Sequence, residues 1–211
     1  MIKTINTRAI ILGTRNLGES DKVVYFYTES LGKIEAIAKG ARKINSKFTG
    51  HLEILNIAQI ELYFGKNKSI LREIITEKPS TNLQSDLDHA SSIIQLAEIT
   101  NRMLFENQNI DDLFPLIEES CKHLHTKDRS LTILLSYLIK FLDITGFMPE
   151  HHNSETDLDA YYENFFRFVK EKPFDEIAKI SLRKKEKNYL KNYLEKILHE
   201  QTQIKWQLLA S

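Results

Sequence analysis

Cys121, His123 and His125 are the residues of this 211-residue chain that first invite a metal-site reading. On a helix, positions 121 and 125 share a face while 123 points away, so the three cannot close one tetrahedral site without unwinding. An ordinary packed cysteine flanked by partly exposed histidines is the better account. His151 and His152, with Asp157 and Asp159, form a second cluster in a loop. Adjacent histidines rarely bind the same structural ion, and no metal is expected at either place. Catalytic constellations fare no better. Gly13-Thr-Arg-Asn-Leu-Gly18 lacks the Lys-Ser/Thr that completes a phosphate-cradling loop. Neither a Gly-x-Ser-x-Gly elbow nor a His-Glu-x-x-His pair occurs in the chain. The carboxylate pairs Asp111/Asp112 and Asp157/Asp159 stand where helices are expected to begin, and negative charge suits that end of the macrodipole. Nothing in these patterns argues for an enzyme or for a cofactor.

Cations and aromatics carry a stronger signal. Lys33, Lys39, Arg42, Lys43 and Lys47 fall on one hairpin arm and the loop behind it. Arg15 and Lys22 flank the first turn, and Lys66, Lys68 and Arg72 flank the last. Tyr25, Tyr27, Phe48, Tyr63 and Phe64 are interleaved with them. Barrels that hold single strands combine groove charge with aromatic stacking surfaces. The ten cations are therefore expected to contact DNA, with Tyr25, Tyr27, Phe48 and Tyr63 as base-stacking residues. The competing account puts the aromatics in the core and the lysines on a solvated surface. Phe26, Phe64 and one or two of the tyrosines are assigned to the core.

The elements that must position these residues change character along the chain. Lys3 to Leu12 alternates as a strand and is expected to break at Gly13. Lys22 to Thr28 and Lys33 to Lys39 flank a short turn at Ser30-Leu-Gly32, which predicts a hairpin. A basic polar loop, Ala41 to Gly50, follows. Ile54, Ala58, Ile60, Leu62 and Phe64 then share one face, interrupted at Asn56, where a bend or bulge is expected. Ser69 to Thr76 supplies a fifth strand. Five strands in under 80 residues leave no room for crossover helices, so the set must be antiparallel and close on itself. A five-stranded oligonucleotide-binding (OB) barrel is the economical solution, and an SH3-like barrel the runner-up.

Pro79 and the polar stretch Ser80 to Ser85 predict a boundary, giving an OB domain at 1–78 and an all-α domain at 79–211. Asp86 is expected to cap a helix presenting Ile93, Leu96, Ala97, Thr100, Met103 and Leu104 inward. Further helices are read after Asp111-Asp112, over Leu131 to Leu142, over Tyr161 to Val169, and over Lys184 to His199. The third should stop at Gly146, with Pro149 beyond it.

The charge divides along the same line. The net charge is zero, yet residues 1–78 hold 13 Lys and Arg against 8 Asp and Glu, and the remainder holds 16 against 21. Such asymmetry suggests that the first part meets a polyanion. With 42% hydrophobic and 27% charged residues the chain can bury a core and stay soluble. Its apolar runs are too short and too interrupted to cross a bilayer. One cysteine rules out an internal disulfide, and no signal peptide is read at the start. The expected setting is the cytoplasm.

The same residues carry a family likeness. Ala9-Ile-Ile-Leu-Gly-Thr-Arg-Asn-Leu-Gly-Glu-Ser-Asp-Lys22, followed by Phe26-Tyr-Thr28, resembles the opening of the bacterial RecO family. Leu31-Gly-Lys-Ile-Glu-Ala-Ile-Ala-Lys-Gly-Ala-Arg42 and Ser46-Lys47-Phe48 continue it, and Leu135 to Pro149 resembles the family's buried helix and its ending. The resemblance implies an N-terminal OB barrel with a helical C-terminal domain. It implies a non-enzymatic mediator of DNA repair and homologous recombination in the RecF pathway. Such a protein binds single- and double-stranded DNA, anneals complementary strands and helps load RecA on DNA coated by single-strand-binding protein (SSB). The implied partners are DNA, RecR and the C-terminal tail of SSB. For that tail, Leu96, Thr100 and Leu104 with Lys127, Arg129 and Lys140 are the expected peptide pocket. Many members place four zinc-binding cysteines after the proline at position 149. This chain has His151-His-Asn-Ser-Glu-Thr-Asp157 there and no cysteine beyond Cys121, so no zinc is expected. The alternative is a generic OB-fold adaptor that binds RNA or protein and has no annealing activity.

Overall fold

The computed structural model describes residues 3–66, 68–80, 87–124, 129–149 and 157–208. The loop at His151-His152, Asp86 and Lys127 lie outside them. Five strands come first: β1 (Lys3–Leu17), β2 (Asp21–Thr28), β3 (Gly32–Ala38), β4 (Ile57–Phe64) and β5 (Ser69–Lys78). They close into a barrel in the order β1-β2-β3-β5-β4. The β3–β5 contact is parallel, pairing Ala36 with Ser69 and Ile37 with Ile70, and every other pairing is antiparallel. This is the OB arrangement, and the SH3-like alternative is set aside. Short connections alone predict a purely antiparallel set, and the parallel seam corrects that expectation. It is how the third strand reaches the fifth while the fourth returns to β1.

β1 does not end at Leu12. It runs on to Leu17 through a register shift between Ile11 and Gly13. A bulge bends a strand without ending it, so one strand serves two neighbours. Residues 3–10 pair with β4, and residues 9–17 pair with β2. β4 starts at Ile57, later than the alternation from Ile54 suggests, because Asn56 is a junction. Its side-chain amide donates to the carbonyls of Gly50 (3.3 Å) and His51 (3.1 Å), and its Oδ1 accepts from the Ser80 amide at 2.6 Å. Leu55 just before it adopts a left-handed backbone. The barrel interior holds Ile11, Val24, Phe26, Ile34, Ala36, Ile60, Leu62 and Leu71, closed at one end by Phe48 and Leu52 from the loop after β3. Burying such side chains contributes about 1.5–3 kcal/mol each.

Among the described residues six helices follow: α1 (Leu87–Met103), α2 (Leu113–His123), α3 (Ser130–Ile144), α4 (Asp157–Glu171), α5 (Phe174–Ile177) and α6 (Lys184–Thr202). α5 is a single turn, too short for a periodic signal. The chain forms two compact units. One joins the barrel strands with Ile93–Phe114, and the other holds the residues from Pro115 onward with the start of α1. Thus the barrel unit extends past the boundary read at Pro79. α3 is the core of the second unit. Its residues Leu131 to Ile139 are all buried, as are Phe141 and Leu142. It ends at Ile144, just before the left-handed Gly146 (φ +75°), and the Phe147 and Met148 amides return to the Leu142 carbonyl at 2.8 and 2.9 Å. α4 and α6 meet through a stacked pair, Tyr162 and Tyr189, whose ring centres are 3.8 Å apart.

Candidate nucleic-acid interface

No acidic residue occurs between Glu35 and Glu53, and Lys39, Arg42, Lys43 and Lys47 all fall in that interval. The segment leaves β3 at Ala38 and is fastened at once to the β1–β2 turn. Asp21 Oδ1 accepts the Gly40 amide at 2.8 Å and the Ser20 hydroxyl at 2.9 Å. The Arg42 amide donates to the Ser20 carbonyl (2.9 Å), and its guanidinium donates to the Gly18 carbonyl (2.7 Å). Gly40 has φ +72°, which a side chain would resist. The Gly40 amide, followed by the Ser20 hydroxyl, holds the Asp21 carboxyl below its usual value, and Lys39 and Lys43 add to this. Consecutive turns carry the chain onward, with Ala41 bonded to Ala38, Lys43 to Gly40, Ser46 to Lys43 and Thr49 to Ser46. Phe48, 2% exposed, anchors the far end in the barrel. The loop is therefore held at both ends, and its cations project from a fixed frame.

The expected cations do not share one environment. Lys39 and Lys43 are exposed, their ammonium groups without a hydrogen-bonded or ion-paired partner among the described residues, and so are Lys66 and Lys68 at the β4–β5 turn. Lys22 sits at the base of the first hairpin, opposite Asn16 and Ala38. Arg42 spends its hydrogen bond on a neutral carbonyl and keeps an unopposed charge. Lys47 Nζ donates to the Arg72 carbonyl at 2.5 Å and lies 5.4 Å from the Phe48 ring centre. Arg15 and Arg72 are partly neutralised, Arg15 by Glu35 at 3.4 Å and Arg72 by Glu61 at 3.7 Å. Exposed pairs of this kind are worth little and can be displaced by a phosphate.

Lys33 departs from expectation. Its ammonium donates to the Leu104 carbonyl at 2.8 Å and to the Asn101 carbonyl, both at the C-terminal end of α1. Burial depresses its pKa, while Glu106 and Glu35 partly offset the effect. A cation at a helix C-terminus satisfies carbonyls that have no partner within the helix. Lys33 is a structural cap rather than a free phosphate ligand.

The aromatic set divides too. Tyr27 is fully buried, and its hydroxyl accepts from the Ile110 amide (2.9 Å) and donates to the Ile110 carbonyl (3.1 Å). Phe48 plugs the barrel. Neither can stack on a base. Tyr25 and Tyr63 remain half-buried on the outside. The Tyr25 hydroxyl accepts from Arg15 Nε at 2.7 Å, and the Arg72 guanidinium lies 4.6 Å from the Tyr63 ring centre. Such cation–aromatic pairs present a flat, charged edge suited to a base and its phosphate.

The expected peptide pocket draws on residues of both compact units. Leu96 and Thr100 are fully buried and Leu104 is 3% exposed, all in the barrel unit. Their spacing marks a core face, so they line no open groove. Arg129 and Lys140 belong to the other unit. Arg129 donates to the Ala178 carbonyl, and Lys140 donates to the Lys170 carbonyl at 3.0 Å. Lys140 Nζ also lies 5.9 Å from the Phe174 ring centre. Elsewhere, Cys121 is half-buried, its thiol pushed up to about 12, chiefly by burial. His123 approaches Asp175 at 3.4 Å and stacks on Phe174. Among the described residues no group of three His, Cys, Asp or Glu is placed to hold a metal. No described helix is long and apolar enough to cross a membrane.

A closed OB barrel with a pinned cationic loop, followed by a separate helical unit, defines a two-part protein of the oligonucleotide-barrel class. Residues 1–78 match the family described as Recombination protein O N terminal, and residues 84–155 match Recombination protein O C terminal. The chain belongs to the RecO family. It is 29% identical over 153 residues to the DNA repair protein RecO of Thermoanaerobacter sp. (strain X514), covering 72% of this chain and 62% of that one. It is 33% identical over 154 residues to the DNA repair protein RecO of Syntrophobacter fumaroxidans, covering 72% and 61%. The RecO of Clostridium novyi (strain NT) is 31% identical over 147 residues, covering 69% and 57%. The chain thus spans about three fifths of the length of the relatives it matches.

Proposed function

We propose that this protein acts in DNA repair and homologous recombination as a non-enzymatic mediator. It binds single- and double-stranded DNA, anneals complementary strands and helps load RecA onto SSB-coated DNA, in the cytoplasm. The observation that carries this reading is the acid-free loop Lys39–Lys47, pinned to the β1–β2 turn by Asp21 and the Gly18 and Ser20 carbonyls. Family membership supports the pathway. Annealing brings two polyanions together, so a fixed row of cations lowers their repulsion by replacing condensed counterions. Tyr25 and Tyr63, each beside an arginine, hold bases available for pairing. No bond is made or broken, and no nucleophile or general base is needed. RecR and the acidic C-terminal tail of SSB are the proposed protein partners. Arg129 and Lys140 remain the cations proposed to meet that tail.

The test is annealing of complementary oligonucleotides, each bare or coated with SSB, in the absence of nucleotide triphosphate. The reading expects faster annealing in both cases. Tight DNA binding with no acceleration would remove annealing, and no DNA binding would favour an adaptor for RNA or protein.

A further inference from the structure

Ile44 is 98% exposed, more than any other large hydrophobic side chain described. A lone exposed aliphatic residue is ordinary on a protein surface. Two features set this one apart. The Ser46 amide donates to the Lys43 carbonyl at 3.0 Å, so Ile44 and Asn45 occupy the centre of a tight turn. Turn centres favour Gly, Pro, Asn, Asp and Ser, and a β-branched aliphatic residue there gains nothing from the local backbone. Residues that contradict their local structure with no packing return point to a function elsewhere. The second feature is the surroundings. Arg42, Lys43 and Lys47 lie on either side of it, on a loop clamped by Asp21 at one end and plugged by Phe48 at the other.

We infer that Ile44 is a wedge that enters between adjacent bases of single-stranded DNA while the flanking cations hold the phosphates on each side. This rests on the DNA-binding reading above. The ligand must carry closely spaced phosphates for the cations and stacked apolar faces for the isoleucine, and a nucleic acid strand offers both. Aliphatic side chains inserted into duplex DNA part its base steps, and a stacked single strand offers the same apolar faces. The wedge adds a role that charge alone lacks. It opens the stack, leaving the Watson–Crick edges free to meet a second strand. Because the side chain touches nothing in the fold, its removal leaves the barrel intact.

The experiment uses the full chain and a single-stranded oligonucleotide bearing one 2-aminopurine, whose fluorescence rises when it is unstacked. Affinity and fluorescence are followed across salt for the unaltered protein, Ile44→Ala and Ile44→Leu. The unaltered protein should raise the fluorescence. Ile44→Ala should keep the same salt dependence, bind about fivefold more weakly, as expected for losing a partly buried isoleucine, and lose the rise. Ile44→Leu should restore both. If Ile44→Ala binds and unstacks like the unaltered protein while salt dependence is normal, the wedge is wrong and the DNA-binding reading stands. If affinity is indifferent to salt from the start, the DNA-binding reading falls and takes the wedge with it.

Discussion

Lys33 and Lys43 are ten residues apart in one basic stretch, yet they end in opposite circumstances. Lys33 projects outward from β3 and is covered by the end of α1, where it caps the Asn101 and Leu104 carbonyls. Its cross-strand neighbour Tyr27 is buried under the same segment through Ile110. Lys43 sits beyond the strand on a loop, and its side chain is exposed. Outward direction on a strand is fixed by alternation. Exposure depends on what the rest of the chain lays over that face. A lysine and a tyrosine that look like DNA ligands become fastenings where the chain returns, and stay open to solvent where it does not.

The covered face is most sensitive at Gly32. It has φ +68°, and a Cβ there would collide with the Gln108 carbonyl. Gly32→Ala should destabilise the protein by about 2–4 kcal/mol, combining left-handed strain with overpacking against backbone. Denaturant unfolding measures this, and a loss below that of an average surface substitution would mean the covered face is not tightly closed. Lys33→Met comes next. It leaves two helix-end carbonyls without a partner and should cost about 1–3 kcal/mol, while the salt dependence of DNA binding stays as it was. A flatter salt dependence with unchanged stability would return Lys33 to the DNA ligands. Tyr27→Phe should cost about 1 kcal/mol through the bonds to Ile110 and leave DNA affinity unaltered.

Asp21 gives the smallest and most local effect. A carboxyl held below its usual pKa in the folded state contributes stability above the unfolded value and loses it as pH falls through the folded value. The Asp21 clamp on Gly40 should therefore hold at neutral pH and loosen only below the ordinary carboxylate range of about 4. Hydrogen exchange or the chemical shift of the Gly40 amide follows it. A midpoint above that range would mean that the carboxyl is raised rather than lowered, and that the Gly40 amide does not stabilise its charge.

Much of this architecture can be read from the residues alone. Alternation at Ile34, Ala36 and Ala38 fixes the inward face of β3, and Ile93, Leu96, Ala97 and Thr100 fix the buried face of α1. The family motif Gly-Glu-Ser-Asp-Lys also acquires a physical role, since Gly18, Ser20 and Asp21 are the groups that fasten the cationic loop. What alternation cannot show is coverage by distant chain. Tyr27 meets Ile110 and Lys33 meets Asn101 across more than sixty residues, and no local pattern encodes such a meeting. The length of β1 is hidden for a related reason, since Gly13 reads as a break and serves as a bulge. Phe48 reads as an exposed aromatic in a polar loop because the barrel opening it fills is formed by other strands.

The loop Lys39–Lys47 is proposed to supply the electrostatic grip on DNA. The direct measurement is the slope of log affinity against log salt for single-stranded DNA. It compares the unaltered protein with a variant carrying Lys39, Arg42, Lys43 and Lys47 all replaced by Ala. Each phosphate contact on a single strand contributes about 0.7 to that slope, so the variant should lose about 3. An equal slope in the two proteins, or none in either, would contradict the claim.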